Sequence, residues 1–578
     1  MSWSIHLRRL LDRLRMRLSG PDGGLLLAVL GLLCGLIAGA VLVAFRLGIE
    51  TAQAGLLSGA GTEGYEALSP WWRLGLCVVG GILVGGLMHL AAPKARGVGI
   101  VHVLDRLAHH QAHLPLRNAV MQFVGASISI VAGHSVGREG PGVHLGAASG
   151  SLLGVGLGLP NNVVRTLVGC GVAASIAASF NTPLAGVIFA MEVVMMEYTI
   201  SGFTPVILAA ASAAALSRAV FGAEPVLSVP AVHFDSLAGL PLVLLTGLVA
   251  GTLAAIFTHS LLRVGALLPG LAVGPRMALG GLVAGLAALA VPEVMGVGYD
   301  TVDLALRGEG VMLTLAVIAL AKVFATAAAL GLGLPGGLIG PTLVIGATAG
   351  AATAMAAAQL GLGDASAVGL YALLGMGAMM AATLQAPLAA LAAVLELTAN
   401  PHVIMPALFA LVTAQLVTRQ LYRTESAVLA LAGARGVDVR QDPVVQSRRR
   451  IGVRAVMQQG FVMLPRAAQA DEIRGALVGH PRWVLVREDL EPVALLAARD
   501  LASALEGVST GSGLDLLEIP GDRRRCAALH PEATLQEAVE RMSASGAEAL
   551  YVTRPAAPGI PRIYGVLTRE DIDEAYRL

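Results

Sequence analysis

A pattern of glycine and proline occurs twice in this chain, at residues 137–150 and again at residues 337–350. Both copies follow Gly-x-x-Gly-Pro-x-x-x-x-Gly-Ala-x-x-Gly, and both open a segment that is otherwise mostly apolar or small. Proline suits the first turn of a helix because its missing N–H costs nothing there, so the first copy predicts a helix start and the second repeats it.

A second pair of segments matches in the same way. Glu192 follows Pro183 by nine residues, and Glu396 follows Pro387 by nine residues. Two hydrophobic halves with matching broken segments predict a transporter built on an internal repeat, with its site where broken helix ends meet near the membrane midplane.

A charged pair, Arg138 and Glu139, begins the first copy of the pattern. A helix N-terminus carries partial positive charge and unpaired N–H groups, so a carboxylate there can act as a tethered anion that competes with free anions. An ionisable group at membrane depth indicates function. The alternative is structural, with Glu139 capping its own helix and pairing with Arg138.

Composition places the repeat in a membrane. The 578 residues are 56% hydrophobic and 13% charged, which is too apolar for a soluble protein of this size. The apolar segments that predict membrane helices are residues 24–47, 74–92, 117–132, 140–159, 162–178, 183–196, 204–219, 237–266, 276–291, 311–332, 338–358, 367–382, 386–398 and 403–420. Several of them are too short for a full crossing, which predicts re-entrant half-helices. A net charge of +1 without a basic patch argues against nucleic-acid binding, and four scattered cysteines support neither a zinc site nor a disulfide framework.

Four segments in order resemble the motifs of the CLC chloride channels and chloride/proton antiporters, and the match covers roughly residues 25–432. These segments are residues 97–101, 137–141, 180–186 and 337–341. The resemblance implies a homodimer with a separate pathway for chloride or other small anions in each subunit, lined by helix N-termini and gated by Glu139. No cofactor or metal is required for this transport.

The same resemblance assigns the anion-binding residues. They are Val98, Gly99, Ile100, Arg138, Gly140, Leu338, Ile339, Gly340 and Val428. Val98 stands where the family usually has serine, and Val428 where it usually has tyrosine, so two hydroxyl donors are missing. Losing one donor to a buried charge costs about 1.5–3 kcal/mol, so we expect weak anion binding unless backbone amides or water compensate.

The proton pathway of the family would involve Glu139, Glu192 and Glu197. Many antiporters carry an inner glutamate immediately after the position of Glu192, where this chain has Val193. We expect Glu192 to be structural, while Glu197 could take the proton. This pattern favours a passive gated chloride channel, with a chloride/proton antiporter as the alternative.

The chain ends in a more charged region that contains two similar units. The first has predicted strand segments at 483–486 and 492–496 and a helix from Ala498; the second has a capping box at 534–537, a helix to Ser543, strands at 549–553 and 563–567, and a final helix. This region resembles a pair of CBS domains. The predicted fold class is therefore an all-α polytopic membrane protein with an inverted repeat and re-entrant half-helices, followed by a cytoplasmic α/β CBS pair. The predicted divisions are an amphipathic helix at 1–22, a membrane domain at 23–432 with halves 25–220 and 237–432, a linker at 433–450, and CBS-like units at 451–508 and 520–578.

Basic residues after the last span place both termini in the cytoplasm of a multi-pass protein in the plasma or inner membrane. Thr568 and Asp571 fit the CBS pattern that binds ATP or AMP, whereas the first unit has Ala497 with Asp500. The alternative is a packing or dimerisation module that binds nothing.

A distant alternative is an intramembrane hydrolase, because residues 133–137 match the Gly-x-Ser-x-Gly nucleophile elbow around Ser135. The elbow needs an alternating strand and helix core that supplies Asp and His from other strands. The segment before Ser135 belongs to a long apolar span, so we expect no enzyme activity.

Overall fold

The computed structural model describes most of the chain, and the helix predicted for residues 1–22 lies outside the described residues apart from Arg15 and Leu18. The described residues are 15, 18, 23–57, 64–198, 200–222, 227, 234, 236–362, 367–439, 443–489, 491–506, 508–557 and 560–577. Two compact units result, a helical one formed by residues 28–153 with 165–439, and a second formed by residues 1–27, 154–164 and 440–578.

The first half of the helical region matches the predicted apolar segments and adds one short helix, α3. Its helices are α1 (Gly24–Leu56), α2 (Pro70–Leu90), α3 (Gly99–His109), α4 (Leu116–Val131), α5 (Glu139–Gly156), α6 (Asn161–Phe180), α7 (Pro183–Phe189), continued by a π-helical turn (Ala190–Met195), and α8 (Ile200–Phe221).

The second half repeats this order and also adds short helices that the apolar segments did not predict, α11 and α17. Its helices are α9 (Leu240–Ala266), α10 (Val273–Ala290), α11 (Tyr299–Leu306), α12 (Met312–Gly331), α13 (Ile339–Gln359), α14 (Val368–Leu384), α15 (Pro387–Thr398), α16 (Ile404–Leu416), continued by a π-helical turn (Val417–Leu421), and α17 (Ala427–Ala434). Within the described residues, nine helices are long and apolar enough to cross a membrane.

Equivalent residues of the two halves meet each other. Gly81 of α2 packs on Gly281 of α10, where an added Cβ would lie 2.9 Å from the facing Cα. Gly137 and Gly337 form an antiparallel bridge in which each backbone N–H donates to the other's carbonyl at 2.7 Å. Antiparallel pairing of residues 200 positions apart is the contact expected from an inverted repeat, as the sequence predicted.

The C-terminal region is an α/β domain built around one six-stranded sheet in the order β1-β3-β4-β6-β7-β8. After helix α18 (Pro443–Arg450), its elements are β1 (Phe461–Pro465), β2 (Ala467–Gln469), α19 (Ala470–Leu477), β3 (Trp483–Glu488), β4 (Glu491–Ala497), α20 (Ala498–Ala504), β5 (Gly513–Asp515), β6 (Arg523–Leu529), α21 (Leu535–Ser545), β7 (Ala549–Ala557), β8 (Ile560–Thr568) and α22 (Arg569–Arg577).

This sheet also consists of two similar halves. Strand β1 pairs parallel with β3, which pairs antiparallel with β4, and β6, β7 and β8 repeat the arrangement. Ala497 ends β4 opposite Trp483, just as Thr568 ends β8 opposite Ala549. The capping box predicted at Thr534 and Glu537 starts α21. The fold is consistent with the predicted pair of CBS domains.

The bridge between Gly137 and Gly337 predicts a strict size limit. A Cβ on Gly337 would lie 2.5 Å from the Gly140 backbone nitrogen, so Gly337→Ala must push the two halves apart. Overpacking of this kind typically costs about 1–3 kcal/mol, and we expect a clear fall in the thermal unfolding temperature of the detergent-solubilised protein. Gly86→Ala is the matched control, because nothing lies within 4 Å of a Cβ there. An unchanged unfolding temperature in Gly337→Ala would contradict the contact.

Candidate functional site

Helix starts from both halves converge on one cavity. Helix α3 begins at Gly99, α5 at Glu139, α13 at Ile339 and α17 at Ala427. Six predicted anion-binding residues line this cavity: Val98, Gly99, Ile100, Gly140, Leu338 and Val428. Its wall also includes Val101, Gln122, Leu330, residues 333–337, Leu431 and Arg435. Helix N-termini attract anions through their partial positive charge and free N–H groups, so the cavity suits a small anion.

The remaining three predicted residues lie elsewhere. Ile339 lines a separate apolar pocket, and the Gly340 amide is engaged by Glu139. Arg138 lies with Nη1 3.7 Å from Glu50 and with its guanidinium 5.0 Å from the ring centre of Tyr299. These three residues are therefore not among those that line this cavity, and their part in anion binding stays a prediction.

Glu139 is completely buried and contacts the other half of the repeat. Its Oε2 accepts a hydrogen bond from the Gly340 backbone N–H at 3.1 Å, in the first turn of α13. Its Oε1 accepts a hydrogen bond from the Tyr299 hydroxyl and lies 4.0 Å from Nε of Arg138. The carboxylate thus lies as a tethered anion at the N-terminus of α13. The structural alternative had Glu139 capping its own helix, α5, whereas the helix that it contacts belongs to the other half.

Tyr299 is a functional residue that the sequence analysis missed. It begins α11, is 8% exposed, and its ring meets Phe180 edge-on with centroids 6.2 Å apart. Its position in the repeat is the only signal in the sequence, because it lies 200 residues after Gly99, at an equivalent helix start. Tyr299 holds the carboxylate of Glu139 through its hydroxyl.

Val98 and Val428, the two positions where the resemblance predicts missing hydroxyl donors, both line the cavity. Two polar residues that the sequence analysis did not assign also line it. Arg435 brings a positive charge, and Gln122 accepts a hydrogen bond from the Gly99 backbone N–H at 2.6 Å. The polar character of this cavity therefore comes from backbone amides, one guanidinium and one side-chain amide.

Glu192 caps a helix of the other half, as expected for a structural residue. The Leu388 and Ala389 backbone N–H groups donate to its carboxylate at 3.3 and 2.8 Å. Glu396 mirrors this contact by accepting from Leu184 and Ala185 at 2.9 and 2.7 Å. Both carboxylates satisfy the free N–H groups of a helix that starts with proline.

The inner end of the predicted proton pathway involves two positions, Val193 and Glu197, which differ in whether the side chain can carry a proton. Val193 is buried in the π-helical turn after α7 and has no titratable group. Glu197 is half-buried just beyond that turn, where its backbone N–H donates to the Met191 carbonyl at 3.1 Å. After Glu192, Glu197 is the acidic residue nearest in sequence to Val193.

The nucleophile-elbow match at Ser135 has a structural explanation. The Ser135 hydroxyl pairs with the Thr326 hydroxyl at 2.8 Å, and Nε2 of His134 bonds the Cys77 carbonyl at 2.8 Å. Serine and histidine therefore each bind a neighbouring helix, and neither activates the other as hydrolysis would require.

In the C-terminal domain, Thr568 and Asp571 lie together at the start of α22. Asp571 Oδ2 accepts hydrogen bonds from the Thr568 backbone N–H at 2.8 Å and from its hydroxyl at 2.6 Å. Oδ1 accepts from the Gln458 amide at 3.1 Å. The pair caps α22, so a nucleotide that contacts Asp571 must exchange with these donors.

Comparisons with known proteins agree with the geometry. The sequence model described as "Voltage gated chloride channel" matches residues 80–419. A ClcB-like chloride channel protein of Ralstonia nicotianae is 35% identical over 353 residues, which are 60% of this chain and 82% of the relative. The H(+)/Cl(-) exchange transporter ClcA of Yersinia pestis is 28% identical over 450 residues, covering 74% of this chain and 93% of the relative.

Solved structures show the same fold. A slow cyanobacterial Cl-/H+ antiporter superposes with a TM-score of 0.62 at 25% identity, over 70% of this chain and 97% of that chain. A eukaryotic CLC transporter superposes with a TM-score of 0.58 at 20% identity, over 94% of this chain and 97% of that chain. The ordered motifs, the paired halves and these matches lead to one conclusion: this chain belongs to the voltage-gated chloride channel (CLC) family of anion transporters, which are not enzymes.

Proposed function

We propose that this protein exchanges chloride for protons across a membrane through a pathway gated by Glu139. The observation that carries this proposal is the buried Glu139 carboxylate, which occupies the Gly340 N–H at the start of α13 beside the anion cavity. An ionised carboxylate competes with chloride for such donors, whereas a protonated one gains much less from the helix N-terminus and leaves. Each opening then requires a proton, which links proton movement to anion movement.

Similarity to named exchange transporters supports exchange over passive conduction. The relatives ClcA and the cyanobacterial antiporter match over 93% and 97% of their own lengths, and both names describe proton-coupled exchange. The sequence analysis favoured the passive channel, and these relatives favour its alternative. The passive channel remains a second candidate because Val193 is buried and cannot carry a proton at the inner position.

The partners follow from family membership and composition. We propose chloride or another small anion as the substrate, membrane lipid around the helical unit, and a homodimer of two such chains. The basic residues 448–450 after the last membrane helix support a cytoplasmic C-terminus, in a multi-pass protein of the plasma or inner membrane.

Proton coupling has a direct test. In liposomes that contain the purified protein, an outward chloride gradient should drive protons into the vesicles against their own gradient, followed with a pH-sensitive dye. Glu139→Ala should abolish the proton movement while chloride still crosses, because the carboxylate that carries the proton is gone. Chloride flux without uphill proton movement in the wild type would support the passive channel instead. If exchange is found, loss of coupling in Glu197→Gln would identify Glu197 as the inner proton residue.

The contacts of Glu139 predict how its gate responds to pH. Chloride flux should rise as external pH falls, and Glu139→Gln should be faster and nearly independent of pH because its side chain cannot ionise. Tyr299→Phe removes the hydroxyl that donates to the carboxylate. A hydrogen bond to a charged group is worth about 1.5–3 kcal/mol, so this variant should open more readily and still respond to pH. Wild-type pH dependence in Glu139→Gln would contradict the gating role.

We also propose that the C-terminal domain is a CBS pair that binds ATP or AMP near Thr568 and Asp571. Both residues lie where β8 ends and α22 begins, and the N-terminal turn of that helix suits phosphate. The first half of the domain has Ala497 at the equivalent strand end, so we expect one nucleotide in each chain.

Calorimetry on the full-length protein tests this nucleotide proposal. ATP or AMP should bind to the wild type, and Asp571→Ala should abolish binding because the ribose hydroxyls lose their acceptor. Asp573→Ala is the matched control, since Asp573 lies on the same helix and its carboxylate pairs with Arg448 and Arg569. No heat of binding at millimolar nucleotide would refute the proposal.

A further inference from the structure

Gln122 on α4 is a completely buried polar residue in the wall of the anion cavity. The Gly99 backbone N–H donates to its Oε1 at 2.6 Å. Its Nε2 has no hydrogen-bond partner among the residues that the structure describes. A buried donor without an acceptor is costly, so a native protein keeps one only where a ligand or water completes it.

The orientation of this side-chain amide follows from its partner. A backbone N–H can only donate, so the atom that faces Gly99 must be the amide oxygen of Gln122. The NH2 group is therefore fixed on the other branch of the amide and presents N–H groups alone. This end of the side chain can satisfy an anion but cannot attract a cation.

The second half of the repeat provides an internal comparison. Lys322 occupies the position equivalent to Gln122, 200 residues later, and is equally buried. Its ammonium donates to the carbonyls of Val294, Met295 and Gly296 at 3.0, 3.4 and 3.0 Å. In the second half, three backbone carbonyls therefore accept from the buried donor at this position. In the first half, Nε2 of Gln122 has no such acceptor among the described residues, and the Gln122 side chain lines the cavity.

We propose that Nε2 of Gln122 donates a hydrogen bond to the anion in the cavity lined by Val98 and Val428, in addition to the positive charge that Arg435 brings to its wall. This inference rests on the proposed anion transport. The valines leave the cavity without hydroxyl donors, and Gln122 compensates from behind the start of α3. Because Oε1 also holds Gly99, the same side chain sets the position of the helix start and supplies a neutral donor to the ligand.

Chloride binding to the purified full-length protein in detergent, measured by calorimetry, tests the proposal. Gln122→Met keeps the length of the side chain and should weaken chloride affinity about 10-fold or more, since it removes one donor to a charged ligand. Ser127→Ala is the matched control on the same helix, because the Ser127 hydroxyl only bonds the Phe123 carbonyl of its own helix. Its chloride affinity should equal that of the wild type.

Gln122→Glu separates ligand binding from a purely structural role. The glutamate keeps an acceptor for the Gly99 N–H, so the helix start stays in place. It can donate to an anion only when protonated, so chloride binding should become pH-dependent, present at low pH and lost as pH rises. A structural residue would produce no such change.

The outcomes distinguish this inference from the proposed function. Absence of anion flux through wild-type protein in liposomes would refute the function. Wild-type flux together with unchanged chloride affinity in Gln122→Met, and pH-independent affinity in Gln122→Glu, would refute the role of Gln122 and leave the function standing.

Discussion

The backbone pairing of Gly137 with Gly337 is the contact on which the anion pathway depends. It joins the two broken segments directly, and it leaves no room for a Cβ between Gly140 and Gly337. Because the segments approach so closely, α5 and α13 start side by side, each two residues after its glycine of the bridge. That proximity lets a carboxylate on one half reach an amide N–H on the other. A larger residue at the bridge would separate the Glu139 carboxylate from the Gly340 N–H that donates to it.

Carboxylates and helix N-termini are exchanged between the halves in two different ways. Glu192 and Glu396 form a symmetric pair, each capping the proline-led helix of the other half. Glu139 also reaches across, but its equivalent in the second half is Ile339. The symmetric contacts are what the packing of an inverted repeat needs, since each occurs twice. Glu139 has no symmetric counterpart, so packing alone does not explain it, and its unpaired occurrence supports a role in transport.

Most of the fold follows from the sequence because long apolar runs, proline starts and a 200-residue repeat are strong signals. The apolar segments predicted all the longer helices of the described membrane part, and both strands and capping box of the second CBS-like unit were found where predicted. Three short helices, α3, α11 and α17, were missed because their few turns carry charges or fall below the length of a crossing. In the C-terminal region, strands β1, β2, β5 and β6 and helices α18 and α19 were missed as well, and the arginines of Arg523–Leu529 obscured β6.

The short membrane helices that were missed, α3, α11 and α17, carry residues of the candidate site. The site was therefore predicted only in part. Motifs identify residues that resemble those of a family, so Val98, Gly140, Leu338 and Glu139 could be found. Tyr299 and Gln122 belong to no motif. They reach the pathway because their helices hold equivalent places in the repeat: α11 is the counterpart of α3, and α4 is the counterpart of α12. Their contribution follows from hydrogen bonds that only the structure shows: the Tyr299 hydroxyl donates to Glu139, and Nε2 of Gln122 has no partner among the described residues. Where valine replaces a hydroxyl, the remaining donors to an anion are backbone amides, the amide of Gln122 and the guanidinium of Arg435. Glu139 adds a carboxylate to this set, and that carboxylate occupies one of the helix N-termini that would otherwise attract the anion.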